Sequence, residues 1–288
     1  MAETPCTPRE LIRFQAAQFL AAGIPDPVED AALLLAHVTG RDALSLRLDS
    51  DTVLTQAQLS ACQSLCQRRL ERIPLQHLTG VQSFCGRDFL VDSRVLIPRP
   101  ETELLAELAI HVARQLPCPA VLDLCCGSGC IGITVALEVS GADVCCADLS
   151  EDALAVARAN AEHLHAKPRL QRSDLFAALG NRHFDIIVSN PPYIPSAECL
   201  TLQEEVLREP VMALDGGTDG LDFYRKIAAE APRRLSPGGT LLLEVGWNQA
   251  EDVRALLLGA GLRQVAIHKD LSGIQRMVEG HLPTQAEG

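Results

Sequence analysis

The 288-residue sequence predicts a doubly wound α/β domain of seven strands, preceded by an N-terminal helical bundle and joined to it by a β-hairpin. Three observations lead to this fold class. Strand and helix patterns alternate from Pro119 onward, which marks a largely parallel sheet covered on both faces. The last two strand patterns are separated only by Lys269–Gly273, too short for a right-handed crossover, so the final strand must run antiparallel. Before Pro74, apolar residues recur at helical spacing.

The helical part begins with Pro8–Ala22, which places Leu11, Ile12, Phe14, Phe19 and Leu20 along its length. A second helix starts at Pro27 and stops at Gly40, and a third runs from Thr55 to Pro74. Between Gln82 and Pro98 the pattern changes to alternating apolar residues broken at Gly86 and at Val91–Arg94, which predicts the hairpin. Thr102–Gln115 follows as a helix. Strands are expected at Ala120–Leu124, Asp143–Ala147, Arg169–Arg172, Asp185–Ser189, Thr240–Val245, Arg263–His268 and Gln275–Glu279. Helices are expected at Cys130–Val139, Glu151–His163, Leu221–Arg234 and Gln249–Leu258. The division is residues 1–76 for the bundle, 77–100 for the hairpin and 101–288 for the α/β domain.

Charge and composition narrow the function classes. Net charge is −12, from 25 basic and 37 acidic residues, whereas a protein gripping a nucleic-acid backbone needs a basic stripe. The clusters Arg68, Arg69, Arg72 and Arg233, Arg234 read as solvated helix faces. No apolar run is long enough for a membrane span, and Met1–Arg13 lacks the apolar core of a secretory signal, so the chain reads as cytoplasmic. Eleven cysteines include no C-x-x-C pair, and the doublets Cys125–Cys126 and Cys145–Cys146 would face opposite sides of a strand. They read as reduced, mostly buried small hydrophobes, with no metal site.

The segment Val121-Leu-Asp-Leu-Cys-Cys-Gly-Ser-Gly129 falls where the first strand turns into a helix. Gly127 and Gly129 there let backbone approach a ligand, and the helix start offers free N–H groups. The spacing is not G-x-G-x-x-G, and Asp123 beside it suits the sulfonium of S-adenosylmethionine better than a pyrophosphate. Asp148 ends the second strand, where a carboxylate accepts from both ribose hydroxyls, while Ser150 is the better helix cap. Ser173-Asp174-Leu175-Phe176 ends the third strand. Asp174 is placed to bond the adenine amino group. Leu175 or Phe176 would pack on the ring, with core packing an equal reading for Phe176.

Asn190-Pro191-Pro192-Tyr193 follows the apolar strand Ile186–Ser189 and opens onto the crevice at the carboxyl end of the sheet. Two prolines stiffen the backbone and remove two N–H donors. The side-chain oxygen of Asn190 and the carbonyl of Pro191 can then each accept one hydrogen of an incoming NH2 group, with Tyr193 covering its plane. A delocalised amide nitrogen is a poor nucleophile, so acceptors that stabilise positive charge growing on it act mainly in the transition state.

The tetrapeptide and the glycine loop resemble the class I amino-methyltransferases, built on a Rossmann-like sheet. Further motifs narrow the likeness: Leu96-Ile-Pro-Arg-Pro-Glu-Thr-Glu103, Arg72-Ile-Pro-Leu-Gln-His-Leu-Thr-Gly80, Glu209-Pro-Val-Met-Ala-Leu-Asp-Gly-Gly217, Asp219-Gly-Leu-Asp-Phe-Tyr-Arg225, Leu243-Glu-Val-Gly-Trp-Asn-Gln249 and Asp270-Leu-Ser-Gly-Ile-Gln-Arg276. Together they resemble the PrmC/HemK family, the peptide chain release factor glutamine methyltransferases. The resemblance implies methyl transfer from S-adenosylmethionine to the glutamine of a Gly-Gly-Gln loop in bacterial class I release factors. It implies cofactor contacts from Cys125, Cys126, Gly127, Ser128, Gly129, Asp148, Leu175 and Asn190, and substrate contacts from Asn190, Pro191, Pro192 and Tyr193. Where this chain has Cys125 and Cys126, the family usually has Gly and Thr, so the backbone at Cys125 is expected to differ. The pair Arg99 and Glu101 is expected to buttress the pocket or the hairpin, or else to be a surface ion pair. The N-terminal bundle, matching only in type, is expected to dock the protein substrate. Glutamine methylation of a ribosomal protein would use the same loop. Adenine-N6 methylation of nucleic acid needs a basic footprint, a cofactor sensor would not need the tetrapeptide, and a nicotinamide dehydrogenase needs other glycine spacing.

Overall fold

A computed structural model of the chain describes residues 6–284. Residues 1–5, part of the Met1–Arg13 stretch expected to lack a leader, lie outside the described residues. The chain divides into two compact units, Met1–Gly80 with Glu204–Arg208, and Val81–Gln203 with Glu209–Gly288.

The first unit is helical: α1 (Pro8–Ala21), α2 (Pro27–Thr39), α3 (Ala43–Leu48), α4 (Gln56–Leu70) and α5 (Leu75–Thr79). Thr7 and Thr55 each close a capping box, with Glu10 and Gln58 returning the hydrogen bond. Gly40 ends α2 in the left-handed conformation, as its position after the last apolar residue predicts. Phe19, Leu34, Leu35, Leu46, Cys62 and Cys66 form the core of this unit. The reading of Arg69 as a solvated residue is corrected. It is 4 % exposed, and its guanidinium donates to Asp30 at 2.7 Å and to Glu205 at 2.9 Å. Burial pushes the Asp30 carboxyl up despite the opposing Arg69 bond, so desolvation outweighs the ion pair there.

The second unit opens with a hairpin, β1 (Val81–Phe84) and β2 (Arg87–Leu90), paired antiparallel. It continues through α6 (Pro100–Ala113), β3 (Ala120–Leu124), α7 (Cys130–Glu138), β4 (Asp143–Asp148), α8 (Glu151–His163), β5 (Arg169–Arg172) and β6 (Phe184–Ser189). Then come α9 (Ser196–Cys199), α10 (Asp222–Arg234), β7 (Leu235–Glu244), α11 (Ala250–Gly259), β8 (Arg263–Lys269) and β9 (Gln275–His281). The sheet has seven strands in the order β5-β4-β3-β6-β7-β9-β8, and only β9 runs antiparallel to its neighbours. The order reverses at β3, between β4 and β6, so the crevice above the carboxyl ends of these strands is the expected ligand site. Period-two alternation separates the two cores: Val121 and Cys146 face one, Leu122 and Cys145 the other.

Three differences from the sequence expectation have physical causes. Strand pairing in the hairpin stops at Leu90; Val91, Val95 and Ile97 are buried, but Asp92 turns the chain by accepting from the Val95 and Arg94 N–H groups. The short helices α3, α5 and α9 carry too few residues for a periodic signal. Strand β7 begins at Leu235 rather than Thr240, because Leu235 pairs with Phe184 before a register shift. Among the described residues, no helix is long and apolar enough to cross a membrane.

Candidate active site

The carboxyl ends of β3, β4, β5 and β6 border a cavity of about 300 Å³. Its wall includes Cys125, Cys126, Gly127 and Ser128 after β3, Asp148 at the end of β4, Asp174 and Leu175 after β5, and Asn190 and Pro192 after β6. The structure thus brings together most of the residues singled out in four separate sequence segments. Gly129 stands just behind the wall and begins α7; a Cβ there would meet Ile133 at 2.9 Å and Ala157 at 3.2 Å. Pro191 and Tyr193 are not among the lining residues. Phe176 is 3 % exposed within the core, so the packing alternative holds for it, while Leu175 supplies the apolar wall.

Backbone shape in the loop after β3 follows from a few bonds. Cys125 adopts φ 60°, in the left-handed region, so the position keeps a glycine-like backbone although its side chain disfavours it. Leu175 across the cavity shares that feature, with φ 45°. Asp148 accepts from the N–H of Gly127 at 2.8 Å and from that of Ser150 at 2.9 Å. Ser150 caps α8 by accepting from Ala153, which frees Asp148 from that task. Burial raises the Asp148 carboxyl, against the bonds from Ser150, Gly127 and Leu149. With three donors on its two oxygens, the carboxylate retains an acceptor site for a further donor. Asp123 does not line the cavity. It is buried beneath the loop, accepts from Gly132 N–H at 2.8 Å and leaves Oδ1 without a partner; burial pushes its carboxyl up to about 7.

These residues fit an adenosyl cofactor. Gly127, at φ 53°, has open space within 4 Å where a Cβ would stand, and two carboxylates and an apolar residue share the same wall. Asp148→Ala is expected to weaken the binding of S-adenosylmethionine about tenfold to a hundredfold, the loss of one or two hydrogen bonds to a charged acceptor. Titration calorimetry reads this directly, and an unaltered affinity would remove the ribose role from Asp148.

The loop after β6 is held from several sides. Ser189 donates to the Leu124 carbonyl at 2.5 Å, and Gln249 Nε2 donates to the Tyr193 carbonyl at 2.9 Å. Burial holds the Tyr193 hydroxyl up at about 12, with the Glu244 carboxyl adding to the shift. Asn190 Nδ2 donates to Thr102 Oγ1 at 3.2 Å. The expected pairing of Arg99 with Glu101 is replaced: Arg99 pairs with Glu209 at 2.5 Å, and Glu209 also accepts from the Ile97 N–H at 2.8 Å. Thr102, Glu209 and Glu244 lie within longer motifs whose sequence does not single them out as site residues. For Glu244 a signal existed, since it is the one ionisable residue in the apolar run Leu241–Val245. All eleven cysteines are unpaired thiols; Cys145 and Cys146 face opposite sides of β4, but Cys125 and Cys126 lie in the loop beyond β3 rather than on a strand.

Comparison with known proteins adds the family. Residues 10–80 match the PrmC N-terminal domain, and residues 102–220 match the methyltransferase small domain. The release factor glutamine methyltransferase of Geobacter sulfurreducens is 41 % identical, over 96 % of this chain and 97 % of its own. The enzyme of that name from Chlorobaculum tepidum is 43 % identical, over 93 % and 94 %. A methyltransferase structure from Pyrococcus furiosus shares the fold, with a TM-score of 0.54 at 19 % identity, covering 75 % of this chain and 99 % of that one. A glycine loop, the Asp148 carboxylate, Asn190 and Pro192 around one cavity, with this identity along nearly the whole chain, place the protein in the release factor glutamine methyltransferase family.

Proposed function

We propose that this chain methylates the side-chain amide nitrogen of the glutamine in the Gly-Gly-Gln loop of class I release factors, using S-adenosylmethionine, in the cytoplasm. The observation that carries it is the placement of Asn190 and Pro192 on the wall of the same cavity as Gly127, Asp148 and Leu175. Bound there, the cofactor supplies a methyl group on a positively charged sulfur. Asn190 Oδ1 and the Pro191 carbonyl would each accept one hydrogen of the substrate NH2. That orients the nitrogen lone pair toward the methyl and stabilises the positive charge developing on nitrogen. Tyr193 would cover the amide plane and keep water out. Once the N–CH3 bond forms and the S–CH3 bond breaks, the surplus proton on nitrogen is far more acidic than any nearby group and passes to solvent.

Residues 1–76, the helical part, would serve as the docking domain for the protein substrate, with 77–100 as the linking hairpin and 101–288 as the catalytic domain. The net charge of −12 speaks against a nucleic-acid substrate. The test uses methyl-labelled cofactor with a panel of release factor, ribosomal protein and DNA. Label is expected on the release factor and lost when the glutamine of its tripeptide is changed to alanine. Label on ribosomal protein or DNA in its place would overturn the substrate assignment.

A further inference from the structure

Glu244 ends β7 with 1 % exposure, following three leucines in the buried half of the strand. A carboxyl is costly to bury there unless other groups use it. Its Oε2 has no hydrogen-bond partner, while Thr102 and Asn190 lie close enough to the carboxyl to favour its ionised form. Thr102 is itself 2 % exposed and accepts from Asn190 Nδ2 at 3.2 Å. Three side chains from α6, β7 and the loop after β6 therefore make one buried polar cluster, joined by the Asn190–Thr102 bond and with one Glu244 oxygen still unpartnered.

An asparagine amide has two ends of nearly equal shape and opposite hydrogen-bonding character. If Nδ2 faced the substrate, its hydrogens would oppose those of the incoming NH2 group, and the acceptor function would be lost. We propose that Glu244 is a positioning residue for Asn190. Directly and through Thr102, its carboxylate holds the Nδ2 end of the amide inward, so that Oδ1 is the end presented to the substrate nitrogen. This rests on the assignment of Asn190 as an acceptor. Thr102 and Asn190 line the cavity and Glu244 does not, so the carboxylate acts through its neighbours rather than as a base on the substrate.

The charge state matters. An ionised carboxylate only accepts and enforces one amide orientation; a protonated one can donate to Oδ1 and permit the inverted amide. Burial pushes the Glu244 carboxyl up to about 7; Glu101 adds to the shift, while Thr102, Asn190 and the Arg276 charge oppose it. The other titratable groups facing it are Tyr193, Tyr224 and the thiol of Cys130, all held in their neutral forms by burial. Activity should therefore rise as pH increases through about 7. Asp123, also raised to about 7, titrates in the same window, so the informative quantity is the difference between the wild type and Glu244→Gln.

The experiment measures kcat and kcat/KM for release factor methylation from about pH 6 to 9, with cofactor affinity, for wild type, Glu244→Gln, Glu244→Leu and Asn190→Ala. Glu244→Gln is expected to lose about tenfold in kcat and to flatten the rise near neutrality; Glu244→Leu should lose about a hundredfold, each with cofactor affinity within about threefold of wild type. Wild-type kcat and pH profile in both Glu244 variants, with Asn190→Ala inactive, would overturn the positioning role and leave the acceptor role standing. An active Asn190→Ala would overturn both. Should Glu244→Leu not fold, the profile of the isosteric Glu244→Gln decides alone, and a rise superimposable on the wild type would reject the proposal.

Discussion

Asn190→Ala is expected to lower kcat by about a hundredfold to a thousandfold, the range found when one preorganised polar group at a reacting centre is removed. Affinity for S-adenosylmethionine should stay within about threefold, because Asp148, Asp174 and the loop after β3, which would carry most of the adenosyl contacts, line the cavity and are left in place. The expectation follows from the weakness of the nucleophile. An amide nitrogen shares its lone pair with the carbonyl, and no side chain in the loop can deprotonate it. What the loop can offer is an acceptor aimed at each N–H, which stabilises the charge that appears only as the new bond forms. The rest of the corner should survive the substitution: the Ser189–Leu124 and Gln249–Tyr193 bonds do not involve the Asn190 side chain, and two prolines fix the backbone between them. Single-turnover kinetics separate chemistry from binding here. A rate near that of the wild type would remove Asn190 from the catalytic step.

What could be read in the sequence was whatever local pattern encodes. The ends of β3, β5 and α8 coincide with their expected positions, because each is bounded by a turn or a cap that breaks a clear period. The glycine loop, Asp148, Leu175 and Asn190 were legible for a related reason: each sits at the end of a strand, and strand ends in an α/β sheet converge on one crevice. The unusual Cys125 was visible as a departure, but the backbone change expected from it is not seen: at φ 60° the residue keeps a conformation that glycine adopts readily. Contacts across long sequence separations were not legible. Arg99 and Glu209 lie 110 positions apart, and Asn190 and Thr102 lie 88 apart, so only the strand order β3-β6-β7 and the placement of α6 bring them together. Arg69 misled for the same reason. Its neighbours Arg68 and Arg72 suggest a solvated face, and nothing within α4 announces that Asp30 and Glu205 will close over its guanidinium.

Glu209→Ala tests the most consequential of these long-range bonds. The Glu209 side chain is 1 % exposed and uses both oxygens, one on the buried Ile97 N–H and one on Arg99. Removing it strands the N–H at a cost of about 1–3 kcal/mol and leaves Arg99 without its partner. Arg99 is 32 % exposed, so water can compensate part of its charge, and the full penalty of a dry ion pair does not apply. A total loss of about 2–4 kcal/mol follows, which for a unit of this size lowers Tm by about 5–15 °C. The damage should extend to the cavity, because Pro98 and Arg99 on one side and Pro210, Met212 and Ala213 on the other all line it, and Glu209 ties the two segments together. Cofactor affinity is therefore expected to fall about tenfold alongside stability. Glu209→Gln separates the two bonds. Its Oε1 can still accept from Ile97, while its Nε2 faces Arg99 donor to donor, so it should recover most of the stability and less of the affinity. Thermal scans and cofactor titrations on both variants decide the matter: a Glu209→Ala protein melting within about 1 °C of the wild type would show that neither bond holds the cavity wall.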